Sequence, residues 1–182
     1  DYVHFREVNG RSFDMTARET IDELRFGTSL DAVVPLVPPT VAMSKFEIDH
    51  AKIDFKKKPN DDKVEVWGTL ALDANGEVAI TDEVIVTVGP LSQTITMTEK
   101  GNKGEKWEYK RPKDAGGNIK HMKIDWNKGK FDFRMDNVDL SELTDPSAVT
   151  ISIQIGDDVG SASISMTETK HWDYKAPHEK SD

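Results

Sequence analysis

Three blocks of the sequence occur twice, in the same order along the chain. Each block keeps its arrangement of aromatic, apolar and charged residues in the second copy. The counterparts are residues 50–55 (HAKIDF) and 121–126 (HMKIDW), residues 94–99 (TITMTE) and 163–168 (SISMTE), and residues 107–112 (WEYKRP) and 172–177 (WDYKAP). The separation of the counterparts decreases from the first block to the third, which indicates a tandem duplication with shortened loops in the second copy.

Both copies consist of short segments in which apolar and polar residues alternate. This period of two is typical of β-strands with one buried and one solvated face. The segments are residues 64–72, 84–88 and 93–97 in the first copy and residues 131–135, 149–155 and 162–166 in the second. Turn signals rich in Asn, Asp and Gly separate them, for example residues 73–76 and 101–104. The pattern predicts an all-β fold of antiparallel sheets.

The size of each copy bears on the number of domains. Copy one spans residues 46–112 and copy two spans residues 117–177, so either copy alone would bury only a small part of its surface. The chain has no Cys, which removes disulfides as compensation. We therefore expect residues 46–178 to form one antiparallel β-sandwich from both copies, related by a pseudo-twofold axis. Two separate small domains are the alternative.

The duplicated region, residues 46–178, resembles the internally duplicated immunoglobulin-like (Ig-like) β-sandwiches of bacterial surface proteins. The predicted fold class is accordingly an Ig-like or jelly-roll-like sandwich, preceded by an N-terminal β-segment.

The first 45 residues differ from the duplicated region. Residues 2–8 and 11–15 alternate on either side of Asn9-Gly10, a pair that favours the type I′ turn of a two-residue β-hairpin. We expect residues 1–35 to form an N-terminal segment of β-strands. Residues 36–45 then form a stiff linker, because Pro38 and Pro39 restrict its backbone.

Within the N-terminal segment, residues 21–28 (IDELRFGT) resemble the last strand of LamG-like, concanavalin-like jelly rolls of bacterial secreted proteins. Those strands typically carry Asp-Glu, then apolar-Arg-apolar-Gly-Thr, and end in a short turn that contains Trp. Leu30 stands here in place of that Trp. The resemblance covers residues 20–35 and implies a strand, an extracellular setting and a chain that begins inside a larger sandwich.

The N-terminal segment carries apolar side chains that a small isolated sheet could not bury. These candidate assembly residues are Val3, Phe5, Val8, Phe13, Leu24 and Phe26. They could pack on the chain's own sandwich, on preceding chain, or on a neighbouring copy by adding strands to an open sheet edge. The third arrangement would produce a fibre or an oligomer, because head-to-tail contacts that do not close continue indefinitely.

Charge and composition exclude several classes of partner. The net charge is -9 and the pI is about 5.1, which argues against binding to nucleic acid or to an anionic membrane surface. No apolar run approaches the length of a membrane-spanning helix. The chain begins with Asp1 rather than Met, from which we expect a processed chain or a piece of a longer one. The expected partners are further copies or neighbouring domains of a larger surface protein.

Four aromatic residues are candidates for a glycan site. Trp107 and Tyr109 in the first copy correspond to Trp172 and Tyr174 in the second, and the period of a strand puts each pair on one face. One interpretation is that these rings pack in the core. The other is an exposed aromatic strip on which sugar rings stack.

The sequence offers weak candidates for calcium binding and none for catalysis. The calcium candidates are Asp73, Asn75, Asp157 and Asp158, although turn formation explains Asp and Asn in these positions better than calcium binding does. No nucleophile elbow, phosphate-binding glycine loop or His-Glu-x-x-His motif occurs in the sequence. We expect no resident cofactor and no enzymatic activity.

Together these features predict an acidic, secreted, non-catalytic module that serves as a structural or assembly unit of a bacterial cell-surface or filament protein. Residues 1–35 would supply strands for assembly. The alternative function is a carbohydrate-binding module that uses the exposed Trp and Tyr rings.

Overall fold

The computed structural model describes residues 3–5, 13–15, 40–58, 60–73, 83–101 and 104–177. The chain divides into two compact units, Asp1–Pro38 and Pro39–Asp182. In the first unit, strand β1 (Val3–Phe5) pairs antiparallel with strand β2 (Phe13–Met15).

The pairing of β1 with β2 agrees with the hairpin pattern of the sequence, but its register does not. Phe5 lies opposite Phe13, whereas a two-residue turn at Asn9-Gly10 would place Phe5 opposite Asp14. Alternation indicates which segments pair, while the length of the loop sets their register. The predicted turn at Asn9-Gly10 itself lies outside the described residues.

The described part of the second unit is all-β. Its thirteen strands are β3 (Val41–Ala42), β4 (Lys45–Asp54), β5 (Asp62–Ala71), β6 (Glu83–Val88), β7 (Leu91–Thr96), β8 (Thr98–Glu99), β9 (Lys106–Lys110), β10 (Ile119–Asp125), β11 (Lys130–Val138), β12 (Ala148–Ile155), β13 (Asp158–Ser165), β14 (Thr167–Glu168) and β15 (Trp172–Lys175). They form an eight-stranded sheet in the order β14-β15-β4-β5-β11-β10-β9-β8 and a five-stranded sheet in the order β3-β13-β12-β6-β7. Neighbouring strands are antiparallel except for β3, which runs parallel to β13. The prediction of an all-β, antiparallel, sandwich-like fold is confirmed.

The strands of the two repeats correspond one to one, β4–β9 with β10–β15, and the repeated blocks have matching neighbours. Trp107 lies opposite Ile124, and its counterpart Trp172 lies opposite Ile53. The last strand of each half pairs with the first strand of the other half, β9 with β10 and β15 with β4. Strands of both halves therefore lie side by side in both sheets, and neither half completes a sheet alone.

Both sheets have a centre about which the pairings are symmetrical. In the eight-stranded sheet Val66 lies opposite Phe133, and in the five-stranded sheet Thr87 lies opposite Ser152. The two sheets are joined on both sides by strands that change sheet. The strand β7 continues through buried Met97 into β8, and β13 continues through buried Met166 into β14.

A row of aromatic rings fills part of the core between the sheets. Phe46 stacks on Phe131 at 5.4 Å, and Phe131 stacks on Phe133 at 6.4 Å. Gly68 and Gly160 border this row. A Cβ atom on Gly68 would come within 2.7 Å of the Phe131 ring, and a Cβ atom on Gly160 would come within 2.7 Å of the Phe46 ring. The two glycines thus make room for the rings.

Candidate assembly surfaces

The outer faces of the two sheets have contrasting chemistry. The eight-stranded sheet carries mixed charges that form ion pairs, such as Arg134 with Glu65 at 3.5 Å. The outer face of the five-stranded sheet carries hydroxyl groups instead. This hydroxyl face comprises Thr87, Ser92, Thr94, Thr96, Thr150, Ser152, Ser161, Ser163 and Ser165, which alternate with buried or half-buried residues along their strands. Hydroxyls on neighbouring strands contact each other, Thr87 with Ser92 at 3.1 Å and Thr150 with Ser163 at 2.9 Å.

One edge of the five-stranded sheet is formed by β7, whose outward backbone groups can be identified from the ladder. The Gly89 N–H donates to the Thr150 oxygen of β12 at 2.8 Å. Along a strand, successive residues direct their backbone hydrogen bonds alternately to the two neighbouring strands. Since Gly89 bonds to β12, the backbone groups of Val88, Val86 and Val84 bond to β7. In the described structure β7 pairs with β6. The backbone N–H and C=O groups of the alternate residues of β7 consequently point away from β6, and these residues are Ser92, Thr94 and Thr96.

The opposite edge, β13, already carries an added strand. The Val41 N–H donates to the Asp157 oxygen at 2.8 Å, and the Met43 N–H donates to the Val159 oxygen at 2.9 Å. The added strand β3 belongs to the segment that leads from the N-terminal residues into the sandwich. Strand addition at this sheet is therefore a feature of the fold itself.

The β7 edge lacks the charged side chains with which natural proteins discourage edge pairing. Ser92, Thr94 and Thr96 are exposed and neutral. Sequence reasoning missed this edge, because alternation shows which face a residue occupies but not which strand lies beside it. Of the predicted assembly residues, Val3, Phe5 and Phe13 lie in β1 and β2. Val8, Leu24 and Phe26 lie outside the described residues.

The aromatic candidates for a glycan site face the core. Trp107 is 5% exposed and makes an edge-to-face contact with Trp126 at 5.1 Å. Tyr109, Trp172 and Tyr174 are half-buried and pack against the core. A ring as buried as Trp107 cannot stack on a sugar, so core packing describes its position.

The calcium candidates are only in part brought together. The carboxylate of Asp158 is buried and accepts a hydrogen bond from the Asp73 backbone N–H at 3.2 Å. Asp157 is exposed, and Asn75 lies outside the described residues. Among the residues that the structure describes, no group of three or more His, Asp or Glu side chains is arranged to hold a metal ion.

The tightest charge cluster on the eight-stranded sheet is centred on Glu108, whose side chain is 11% exposed. Lys100 donates to Glu108 Oε2 at 2.8 Å, and His121 Nε2 lies 3.3 Å from Glu108 Oε1. The hydrogen bond from Lys100, supported by those from His121 and Lys110, lowers the pKa of Glu108 to about 2 against the opposing effect of burial. On its other side His121 Nδ1 lies 3.5 Å from Asp132 Oδ2. These groups therefore contact one another in a largely buried cluster on this sheet.

We expect Glu108→Gln to reduce the free energy of unfolding at pH 7 and to have progressively less effect in acid. The pKa of Glu108 is lower in the folded chain than in the unfolded one, so its stabilising contribution is complete above the unfolded value near 4.5 and is lost as the pH falls towards 2. Urea unfolding at pH 7 and pH 3 measures the change. The matched control is Asp173→Asn, at the corresponding position, where the neutral Thr169 hydroxyl donates at 2.7 Å. An effect of Glu108→Gln that is equal at both pH values would contradict this account.

Comparison with protein families, with curated proteins and with solved structures finds no match to this chain. In the part of the chain that the structure describes, there is no helix of the length and apolar character needed to cross a membrane.

Proposed function

We propose that this protein is a non-catalytic structural module that assembles by strand addition, with residues 1–35 of one copy as the donor and the β7 edge of the next copy as the acceptor. The observation that carries the proposal is the neutral outward edge of Ser92, Thr94 and Thr96. An edge strand with unpaired backbone groups and no charged side chains is a template for another strand.

The distribution of charge supports the same acceptor. The chain carries a net charge of -9, so copies repel each other over most approaches. On the described outer face of the five-stranded sheet Glu83 is the one charged residue, so a second copy can reach β7 with little electrostatic cost. The apolar residues of the N-terminal segment would gain a partner in the same step.

The remaining elements of the proposal each have their own support. An extracellular, bacterial cell-surface setting rests on the resemblance of residues 20–35 to LamG-like jelly rolls. A non-catalytic role rests on the sequence, which carries no nucleophile elbow, phosphate-binding glycine loop or His-Glu-x-x-His motif. A tandem duplication is supported by the matching neighbours of the repeated blocks, such as Trp107 and Trp172. The Ig-like or jelly-roll-like relationship stays a prediction.

Light scattering on the full chain and on a chain without residues 1–35 tests the function. We expect concentration-dependent assemblies from the full chain and a monomer from the shortened one. We also expect Thr94→Pro to abolish assembly while the sandwich stays folded, because proline removes an N–H that points away from β6.

Ser163→Pro is the matched control, since Ser163 occupies the corresponding position on the β13 edge. It should leave assembly unchanged. A full chain that is monomeric at every concentration, or assembly that survives Thr94→Pro, would overturn the proposal.

A further inference from the structure

The strand pair β14–β15 is attached to the sandwich in a different way from its counterpart β8–β9. The counterpart is fixed at both ends, because the chain enters it from β7 and leaves it into β10. In the described part of the chain β14–β15 is connected to the other strands through Met166. Its non-covalent attachment is the pairing of residues 172–175 with β4, together with the Ala176 N–H, which donates to the Asp49 oxygen at 2.9 Å.

The non-covalent contacts of this strand pair are also weaker than those of its counterpart. Trp107 is buried under the edge of Trp126. Trp172 is half-buried, and Phe55, which corresponds to Trp126 in the repeat, is 40% exposed. The lysine–carboxylate pair Lys106–Asp125 at 3.6 Å is replaced by His171–Asp54 at 3.2 Å, which is an ion pair only when the imidazole is protonated.

The connection at Met166 can act as a hinge. Ile164 and Met166 are buried, whereas Ser163, Ser165 and Thr167 are exposed, so the alternation of one strand continues from β13 through Met166 into β14. The bend interrupts no alternation and contains no Gly or Pro. Residues 163–167 therefore keep one alternation across the bend, which is the pattern that a single straight strand would have.

We propose that β14–β15 exchanges between two copies of the chain, with residues 172–175 of one copy pairing with β4 of the other. Every contact in the exchanged form already exists within the single chain, such as Asp173 opposite Lys52, so only the hinge conformation changes. Exchange of an identical element is a low-cost route to a dimer. The sandwich already uses the same arrangement internally, since each half receives its outer strand pair from the other half. The exchange of β14–β15 requires neither residues 1–35 nor the β7 edge.

Cysteine pairing tests the exchange cleanly, because the natural chain has no Cys. Full-length Lys52→Cys chains are mixed with full-length Asp173→Cys chains in a glutathione buffer, so that only cysteines held opposite each other stay linked. The control mixture contains Lys106→Cys and Asp125→Cys chains, whose positions lie opposite each other in the tethered pair β9–β10. We expect roughly tenfold more disulfide-linked heterodimer from the first mixture than from the control.

Two outcomes would overturn the exchange. One is a heterodimer yield no higher than that of the control while the double variant Lys52→Cys/Asp173→Cys closes its disulfide within one chain. The other is loss of the heterodimer when Thr94→Pro is added to both chains, because the link would then arise from contacts at the β7 edge. Heterodimer formation that is unaffected by Thr94→Pro supports the exchange even if assembly through residues 1–35 fails.

Discussion

Phe133→Ala is expected to destabilise the whole sandwich by about 3–5 kcal/mol and to leave one unfolding transition, not two. Phe133 is fully buried and lies opposite Val66 at the centre of the eight-stranded sheet, where the two halves meet. It also stacks on Phe131. Since the strands of each half complete the sheets of the other, a cavity at this centre weakens both halves together.

Denaturant unfolding, followed separately by Trp fluorescence and by far-UV circular dichroism, measures this effect. The two signals should change together in the natural chain and in the variant. Phe55→Ala is the control, because Phe55 is one of the exposed aromatic residues and should cost far less. Separate transitions for the two signals would show that the halves fold independently, and equal losses in the two variants would contradict the packing of Phe133 at the centre of the sheet.

The repeated blocks made much of this architecture predictable. They identify corresponding strands, and their alternation identifies the core faces, so the all-β class follows from the sequence. They could not show that the halves exchange their outer strands. Trp172 of the second half lies opposite Ile53 of the first half. Ile124 lies in the matching block of the second half and has almost the same flanking residues as Ile53. Local sequence is therefore compatible with either pairing, and the connection of β13 to β14 across the sandwich favours the exchanged one.

The bends of the strands and their edges were harder to predict for a related reason. The predicted segments end at Met97 and Met166, and nothing in their alternation indicates that the chain passes into the other sheet at these residues. The sequence around the edge residue Thr94 alternates in the same way as the sequence of a central strand. A period of two indicates that one face is buried, but it does not indicate which strands lie on either side. The candidate site therefore depends on the ladder of hydrogen bonds.

Gly68→Ala is expected to cost about 3 kcal/mol or more, the upper end of the range for overpacking. A Cβ atom at Gly68 would lie 2.2 Å from the backbone oxygen of Glu47 and within 2.7 Å of the Phe131 ring. Gly68 is paired with Phe131 on one side and with Ile48 on the other, beside a register shift in β4. The backbone oxygen cannot rotate away as a side chain could, so two strands must separate to admit the methyl group.

Denaturant midpoints for Gly68→Ala and for the control Gly116→Ala decide this prediction. Gly116 has nothing within 4 Å of an added Cβ atom and lies outside the strands. At such an open site, alanine commonly stabilises a chain by about 0.4–1 kcal/mol, because it restricts the unfolded state. The two substitutions are chemically identical and should change stability in opposite directions. If Gly68→Ala were neutral, the close contact of β5 with Glu47 and Phe131 would be refuted, and with it the role of Gly68 in seating the aromatic row.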